Sequence, residues 1–356
     1  MYSIKIADKA DNKALIQLTR LCPMQGTIPL LIDRTPDFFL LPAERGESVT
    51  LVAINPVDGV LIGTFTTSFF TGFIEGRAER ILYISDLKVH PDHRKKKVAL
   101  ELMQYMDAYV RKSQPGIAFC VLAGGNEAIL RFFQIKAGFP EFVPFGQFHV
   151  LQIFPIPGHK KIAMQDVLQV QAGPLEDALI TFFNAIHKDY VLAPVLEKRN
   201  LGSCRSFVSI RNNKIVAAVS LIDPHPYKQN VVLGMPGYLK LMVGAVKATS
   251  RIMPLAPLPN VGAPIATLFL RAYGCLPGEE NRLKALINFA RKLAYREGYN
   301  FLSVGIHERD PMLKILNGMP RINFLSHLYV ADFLEDKQKV KRIVEQGIPY
   351  MDFSLV

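Results

Sequence analysis

Apolar and polar residues alternate along Tyr2 to Ile6, the period of a strand with one face buried. After Asp11-Asn12 the spacing changes. Leu15, Ile16, Leu18 and Leu21 fall on one side of a helix that Pro23 ends. Residues 24 to 46 are rich in loop formers and hold at most a short helix near Asp37 to Leu41. Two strands, Ser48 to Ile54 and Val60 to Phe70, flank Asn55-Pro56-Val57-Asp58-Gly59, whose residues suit a hairpin turn. A second turn, Gly76 to Glu79, leads into a strand over Ile81 to His90. An amphipathic helix follows, then Ile117 to Ala123, an almost wholly apolar run of the kind found in a strand buried on both faces. Phe145 to Phe154 supplies a closing strand.

Pro155-Ile156-Pro157-Gly158-His159-Lys160-Lys161 breaks this pattern and reads as a linker. The order then begins again. Glu176 to about Ile186 is helical, and Phe207 to Ile210 and Ile215 to Leu221 form a hairpin around Asn212-Asn213-Lys214. Thr267 to Arg271 is a strand, Glu279 to Glu297 a long helix, and Phe301 to Ile306 another strand. A short helix over Asp310 to Leu316 and a strand over Leu325 to Ala331 complete the series. The chain reads as two copies of one α/β fold, residues 1–155 and 165–356. Within the second copy, 237 to 264 is a weakly amphipathic, basic segment running into a proline-rich one, suited better to a lid or packing arm than to a membrane-surface helix.

The stretch with most chemistry is Asp86-Leu87-Lys88-Val89-His90-Pro91-Asp92-His93-Arg94-Lys95-Lys96-Lys97-Val98-Ala99. It predicts a strand, a basic loop and a helix N-terminus. The first turn of a helix has backbone N–H groups without partners and the positive end of the dipole, so it receives anions. Ringed by Arg94 to Lys97, this turn is fitted to phosphate. The chain's net charge of +11 is then either a plain solvated surface or a funnel toward that turn. No basic stripe interleaved with aromatics points to nucleic acid. No apolar run is long enough for a transmembrane segment, and Met1 to Ile6 lacks a secretory pattern. Cys22, Cys120, Cys204 and Cys275 are scattered, suggesting neither disulfides nor a metal site, so a cytoplasmic protein is expected.

The same residues resemble the acyl-CoA-binding motif of the GNAT N-acetyltransferase superfamily, a strand with an acidic residue leading into Arg-x-x-Gly-x-Gly/Ala and a helix. Arg94 and Ala99 match; Lys97 stands in place of a glycine. Downstream, Asn126 opens a helix closed by Ala137-Gly138-Phe139, similar to the family's second motif. The resemblance implies two tandem GNAT-like folds, each a mixed, mostly antiparallel sheet flanked by helices, with the second copy degenerate. In that copy Glu279 and Glu280 occupy the corresponding helix start, where carboxylates repel pyrophosphate.

It further implies an N-acetyltransferase using acetyl-CoA (CoA) and a small-molecule or peptide amine held between the domains. Leu87, Lys88 and Val89 would line the pantetheine arm, and Arg94, Lys95, Lys96, Lys97, Val98 and Ala99 the pyrophosphate. Lys97 either grips a phosphate or weakens the site. Asn126 is either a pantetheine contact or a helix cap. Asp86 is either the base that deprotonates the amine or a carboxylate paired with Lys88 or an arginine from another element. The family's tyrosine acid is replaced by Phe132, Phe133 and Gln134. Two rival readings therefore stand beside the first: a non-catalytic acyl-CoA-binding or regulatory protein, and a transferase of longer acyl groups. The sequence does not name the acceptor or the oligomeric state.

Overall fold

A computed structural model describes residues 2–24, 29–94, 96–113, 116–123, 140–158, 167–234, 237 and 258–356. The second family motif, with Asn126, and most of the 237 to 264 segment lie outside the described residues, as does Lys95.

The alternating segments of the first half become β1 (Ser3–Ile6), β3 (Glu47–Ile54), β4 (Leu61–Ile74), β5 (Arg77–Val89), β6 (Ile117–Ala123) and β7 (Val143–Ile153). Those of the second become β8 (Val167–Gln169), β9 (Arg205–Arg211), β10 (Lys214–Ile222), β12 (Thr267–Cys275), β13 (Phe301–His307) and β14 (Arg321–Asp332). All twelve lie in one sheet, in the order β1-β3-β4-β5-β6-β14-β7-β13-β12-β10-β9-β8. Most neighbours are antiparallel; β5 with β6 and β12 with β13 run parallel. The two halves are interleaved at the centre. β14 lies between β6 and β7, pairing Val330 with Phe119 on one side and Phe324 with Val150 on the other. β7 in turn pairs with β13, Val304 against Leu151.

Helices cover the sheet: α1 (Asn12–Leu21), α2 (Leu40–Arg45), α3 (Val98–Lys112), α4 (Pro174–His187), α5 (Lys198–Leu201), α6 (Glu280–Arg296), α7 (Met312–Ile315) and α8 (Lys337–Gln346). The apolar stripe of α3, Val98, Leu102, Met103, Met106 and Val110, packs on Leu82 and Ile84 of β5. Gly63 of β4 makes this approach possible, since a Cβ there would lie 2.8 Å from Val98 and 2.9 Å from Leu102. α6 repeats the arrangement over β12 and β13 through Leu283, Leu286, Ile287 and Ala290.

Two elements are not legible in sequence. β2 (Leu30–Asp33) pairs antiparallel with β11 (Gln229–Val232), so a small ribbon joins the halves away from the main sheet. The short helix expected near Asp37 to Leu41 forms later, as α2. No helix among the described residues is long and apolar enough to cross a membrane.

Candidate functional site

The first half's parallel pair is registered over three residues only: Leu82 with Ala118, Tyr83 with Phe119 and Ile84 with Cys120. β5 then runs on to Val89 beside β4, while β6 runs on to Ala123 beside β14. The two strands therefore part beyond Ile84. A bulge marks the fork, for Asp86 and Leu87 together oppose Phe65 of β4, and Asp86 has a left-handed φ of 52°. Such a bulge leaves ladder groups unpaired and turns side chains to new directions. Leu87, Lys88 and Val89 follow on the free limb of the fork.

The chain returns through a 3-10 turn, Pro91–His93, and enters α3 at Lys97. Lys97 sits at φ 62°, ψ 2°, the left-handed conformation that glycine adopts without penalty. The lysine thus holds a backbone shape that favours glycine. No side chain caps the helix there. Arg94, Lys96 and Lys97 are exposed and join no ion pair among the described residues, while Val98 is buried and Ala99 half-buried in the first turn. Tyr2 braces this turn: its N–H donates to Glu101 at 3.2 Å and its hydroxyl to the Lys96 carbonyl at 3.0 Å. An extended limb leading to an uncapped, cation-ringed helix start fits the arm and pyrophosphate of a CoA thioester.

Asp86 stands at the fork, buried among cations. Arg34 Nη2 donates to its Oδ1 at 2.9 Å, Arg45 Nη1 lies 3.3 Å from Oδ2, and Lys88 Nζ donates to Oδ1. Burial opposes ionisation of this carboxyl, but Arg34, Lys88 and Arg45 together hold it well below the usual carboxylate range. Of the two arrangements open at sequence level, this is the pairing with Lys88 and with arginines of other elements. A carboxylate so held is a weak proton acceptor. Arg34 and Arg45 come from the loop-rich passage that carries no periodic pattern, so nothing in the sequence ties them to Asp86.

On the face of β5 opposite α3, a cavity of about 570 Å³ opens between the halves. Phe69, Phe70, Tyr83 and Phe119 contribute from the first half, Leu196 and Met351 from the second, with Arg45 and Glu44 at the end of α2. Tyr83 stacks on Phe119 at 4.9 Å, and the Arg45 guanidinium lies 4.9 Å from its ring centroid. Its hydroxyl has no partner among the described residues. Burial pushes the phenol up to about 12, so it stays protonated and able to donate. The family resemblance points to a tyrosine on the second motif's helix, and no signal in the sequence marks this one.

The second half repeats the fork but fills it. β12 and β13 are registered at Thr267–Phe301, Leu268–Leu302 and Phe269–Ser303, then part. The C-terminal segment occupies the opening: Tyr350 donates from its hydroxyl to the Arg271 carbonyl at 2.8 Å, and Phe353 packs so closely on Gly305 that a Cβ there would overlap its ring. At the start of α6, Glu279 bonds Arg211 at 2.8 Å and Arg282 at 3.0 Å, an anion supplied by the chain itself.

The two forks in one mostly antiparallel sheet, with an uncapped helix beside the first, give the chain a GNAT-like fold. Residues 15–139 match the model of the acetyltransferase (GNAT) family. The whole chain is similar to N-myristoyltransferase of Saccharomyces cerevisiae with bound myristoyl-CoA, at TM-score 0.63 and 12% identity, covering 93% of this chain and 82% of that one. It is also similar to a GCN5-related N-acetyltransferase from Anabaena variabilis, at TM-score 0.54 and 10% identity, covering 93% and 72%. Such identities establish likeness of fold. No curated protein matches the chain.

Proposed function

We propose that the protein is an N-acyltransferase that takes acetyl from acetyl-CoA and delivers it to an amine held in the cavity between two GNAT-like copies, residues 1–155 and 165–356. One observation carries the reading: the fork of β5 and β6 and the uncapped, cationic start of α3 lie at the two ends of one short segment, Asp86 to Ala99. The donor brings the activated thioester. Leu87, Lys88 and Val89 offer backbone groups to its arm, and Arg94 adds a charge-assisted hydrogen bond beside the N–H groups of Val98 and Ala99. The amine lone pair attacks the carbonyl carbon, a C–N bond forms and the C–S bond breaks. The amine gives up its proton to water, the departing thiolate takes the phenol proton of Tyr83, and water returns a proton to Tyr83, so that amide and free thiol leave and the phenol is restored. Asp86 is in this reading the counter-ion that sets Arg34 and Arg45 in place.

The glycine-like backbone of Lys97 supports retained donor binding rather than a vestigial site. The aromatic cavity wall, Phe69, Phe70 and Phe119, favours a second reading in which a longer acyl group is accepted, and competition between acetyl-CoA and longer acyl-CoAs separates the two. The primary test is calorimetric titration of acetyl-CoA into wild type and an Arg94→Ala, Lys97→Ala double variant. Hydrogen bonds to charged groups are worth about 1.5–3 kcal/mol each, so the variant is expected to bind at least tenfold more weakly. No binding of acetyl-CoA or CoA to wild type at high micromolar concentration removes the proposal.

A further inference from the structure

Behind the cavity wall, of which Arg45 forms part, buried side-chain cations outnumber the carboxylates that touch them. Three cations, Arg34, Arg45 and Lys88, share the single carboxylate of Asp86. Lys228, also buried, donates to main-chain oxygens of Phe353 and of Val356, the last residue, at 2.9 and 2.8 Å. Arg34 and Lys228 stand one residue beyond the last registered pair of the β2–β11 ribbon, Asp33 with Gln229, so two like charges flank each other across it. Like charges placed this way destabilise a pair, and one carboxylate cannot balance the three cations gathered on it. Burial, with Arg34 and Arg45 nearby, pulls the Lys228 ammonium down to about 7.

Hydrogen bonding is incomplete in the same place. Arg34 is 2% exposed, yet its Nε and Nη1 have no partner among the described residues. Arg45 uses Nε on the Leu355 carbonyl at 2.7 Å and Nη1 on Ser85 and Asp86. Its Nη2 has no partner among the described residues, on a side chain that lines the cavity. A CoA thioester does not answer this demand, because its arm is uncharged and its phosphates belong at α3. Glu44, the residue before Arg45, lines the same cavity, is partly exposed, and among the described residues is tied by contacts of 3.4 and 3.5 Å to Arg271. The cavity therefore offers a cationic pole and a nearby carboxylate.

We propose that the acceptor is zwitterionic: a primary amine on a short frame that also bears a carboxylate or phosphate, the anion seated on Arg45 with Arg34 and Lys228 behind it and the ammonium facing Glu44. This rests on the acyl-transfer reading above and names its substrate class.

The test uses wild type with saturating acetyl-CoA and follows thiol release. Acceptors are offered in pairs that differ only in the anion: amino acids against their carboxamides, and ethanolamine phosphate against ethanolamine. The anionic member of at least one pair is expected to have a tenfold or greater advantage in kcat/KM, and the pair that responds tells carboxylate from phosphate. An amino acid amide is the weaker base and less protonated at neutral pH, so intrinsic reactivity works against this outcome. Lys228→Met is expected to shrink the advantage. Equal use of both members, or no acylation of any acceptor while acetyl-CoA binds, overturns the proposal. Calorimetric failure of acetyl-CoA to bind overturns the acyl-transfer reading itself, and this one with it.

Discussion

Replacing Asp86 by asparagine separates its two possible roles, because a base and a buried counter-ion fail in different ways. The carboxylate is 5% exposed and contacts Arg34, Arg45 and Lys88. The amide would keep the volume and remove the charge, leaving three cations together in the interior. Removing one partner from a buried ion pair costs about 3–5 kcal/mol, and the residual repulsion places this site in the upper part of that range. In urea, where slopes of roughly 1–3 kcal/mol per molar are usual, the unfolding midpoint is expected to fall by more than about 1 M. The pH dependence has a definite sign. The folded carboxyl lies well below its ordinary 3.8, so the unfolded chain binds the proton first as acid is added. Stability from Asp86 is thus complete above about pH 4 and is lost as pH falls toward the folded value. The variant should lack that acid-side loss. An Asp86→Asn protein as stable as wild type within about 1 kcal/mol, but slowed roughly a hundredfold or more in acyl transfer, would show the counter-ion argument to be wrong and restore the base.

Lys97→Gly relieves a left-handed non-glycine residue and is expected to raise stability by roughly 0.5–1 kcal/mol in thermal unfolding. It also removes a cation from the phosphate turn, so acetyl-CoA should bind severalfold more weakly at low salt, with the difference fading at high salt. Unchanged affinity at low salt would mean that Lys97 points away from the phosphates. Tyr83→Phe should lower kcat for acyl transfer on the order of 10²-fold while leaving acetyl-CoA affinity within about twofold. Wild-type turnover in that variant would exclude the phenol as proton donor.

The strands and main helices can be read because their signal is local. An apolar residue at every second position, or along one helical face, reports burial whatever lies opposite. What lies opposite is not encoded in that pattern. Phe145 to Phe154 and Leu325 to Ala331 are both recognisable as strands, yet each lies beside the other half's parallel pair. The β2–β11 ribbon joins segments from different halves, and β2 is only four residues long. α8 gives little signal because Lys337 to Gln346 is mostly charged, with Val340 and Ile343 as its buried residues. The site divides in the same way. Asp86, Lys88 and the Arg94 to Ala99 turn are neighbours in sequence and can be singled out. Arg34, Arg45, Tyr83 and Lys228 acquire meaning only through the fold, since nothing in their spacing distinguishes them from surface charges and core aromatics.

The central position of β14 governs how this protein can be made. During synthesis β6 emerges with one flank awaiting a strand near the far end of the chain, and at roughly 5–20 residues per second that interval lasts tens of seconds. An apolar strand with an open edge is a template for association with other chains. The first half, although it holds the turn proposed to bind the donor, is therefore a poor candidate for expression alone. The nascent chain needs either shielding by a chaperone or rapid release for the late strand to arrive before a neighbour's does.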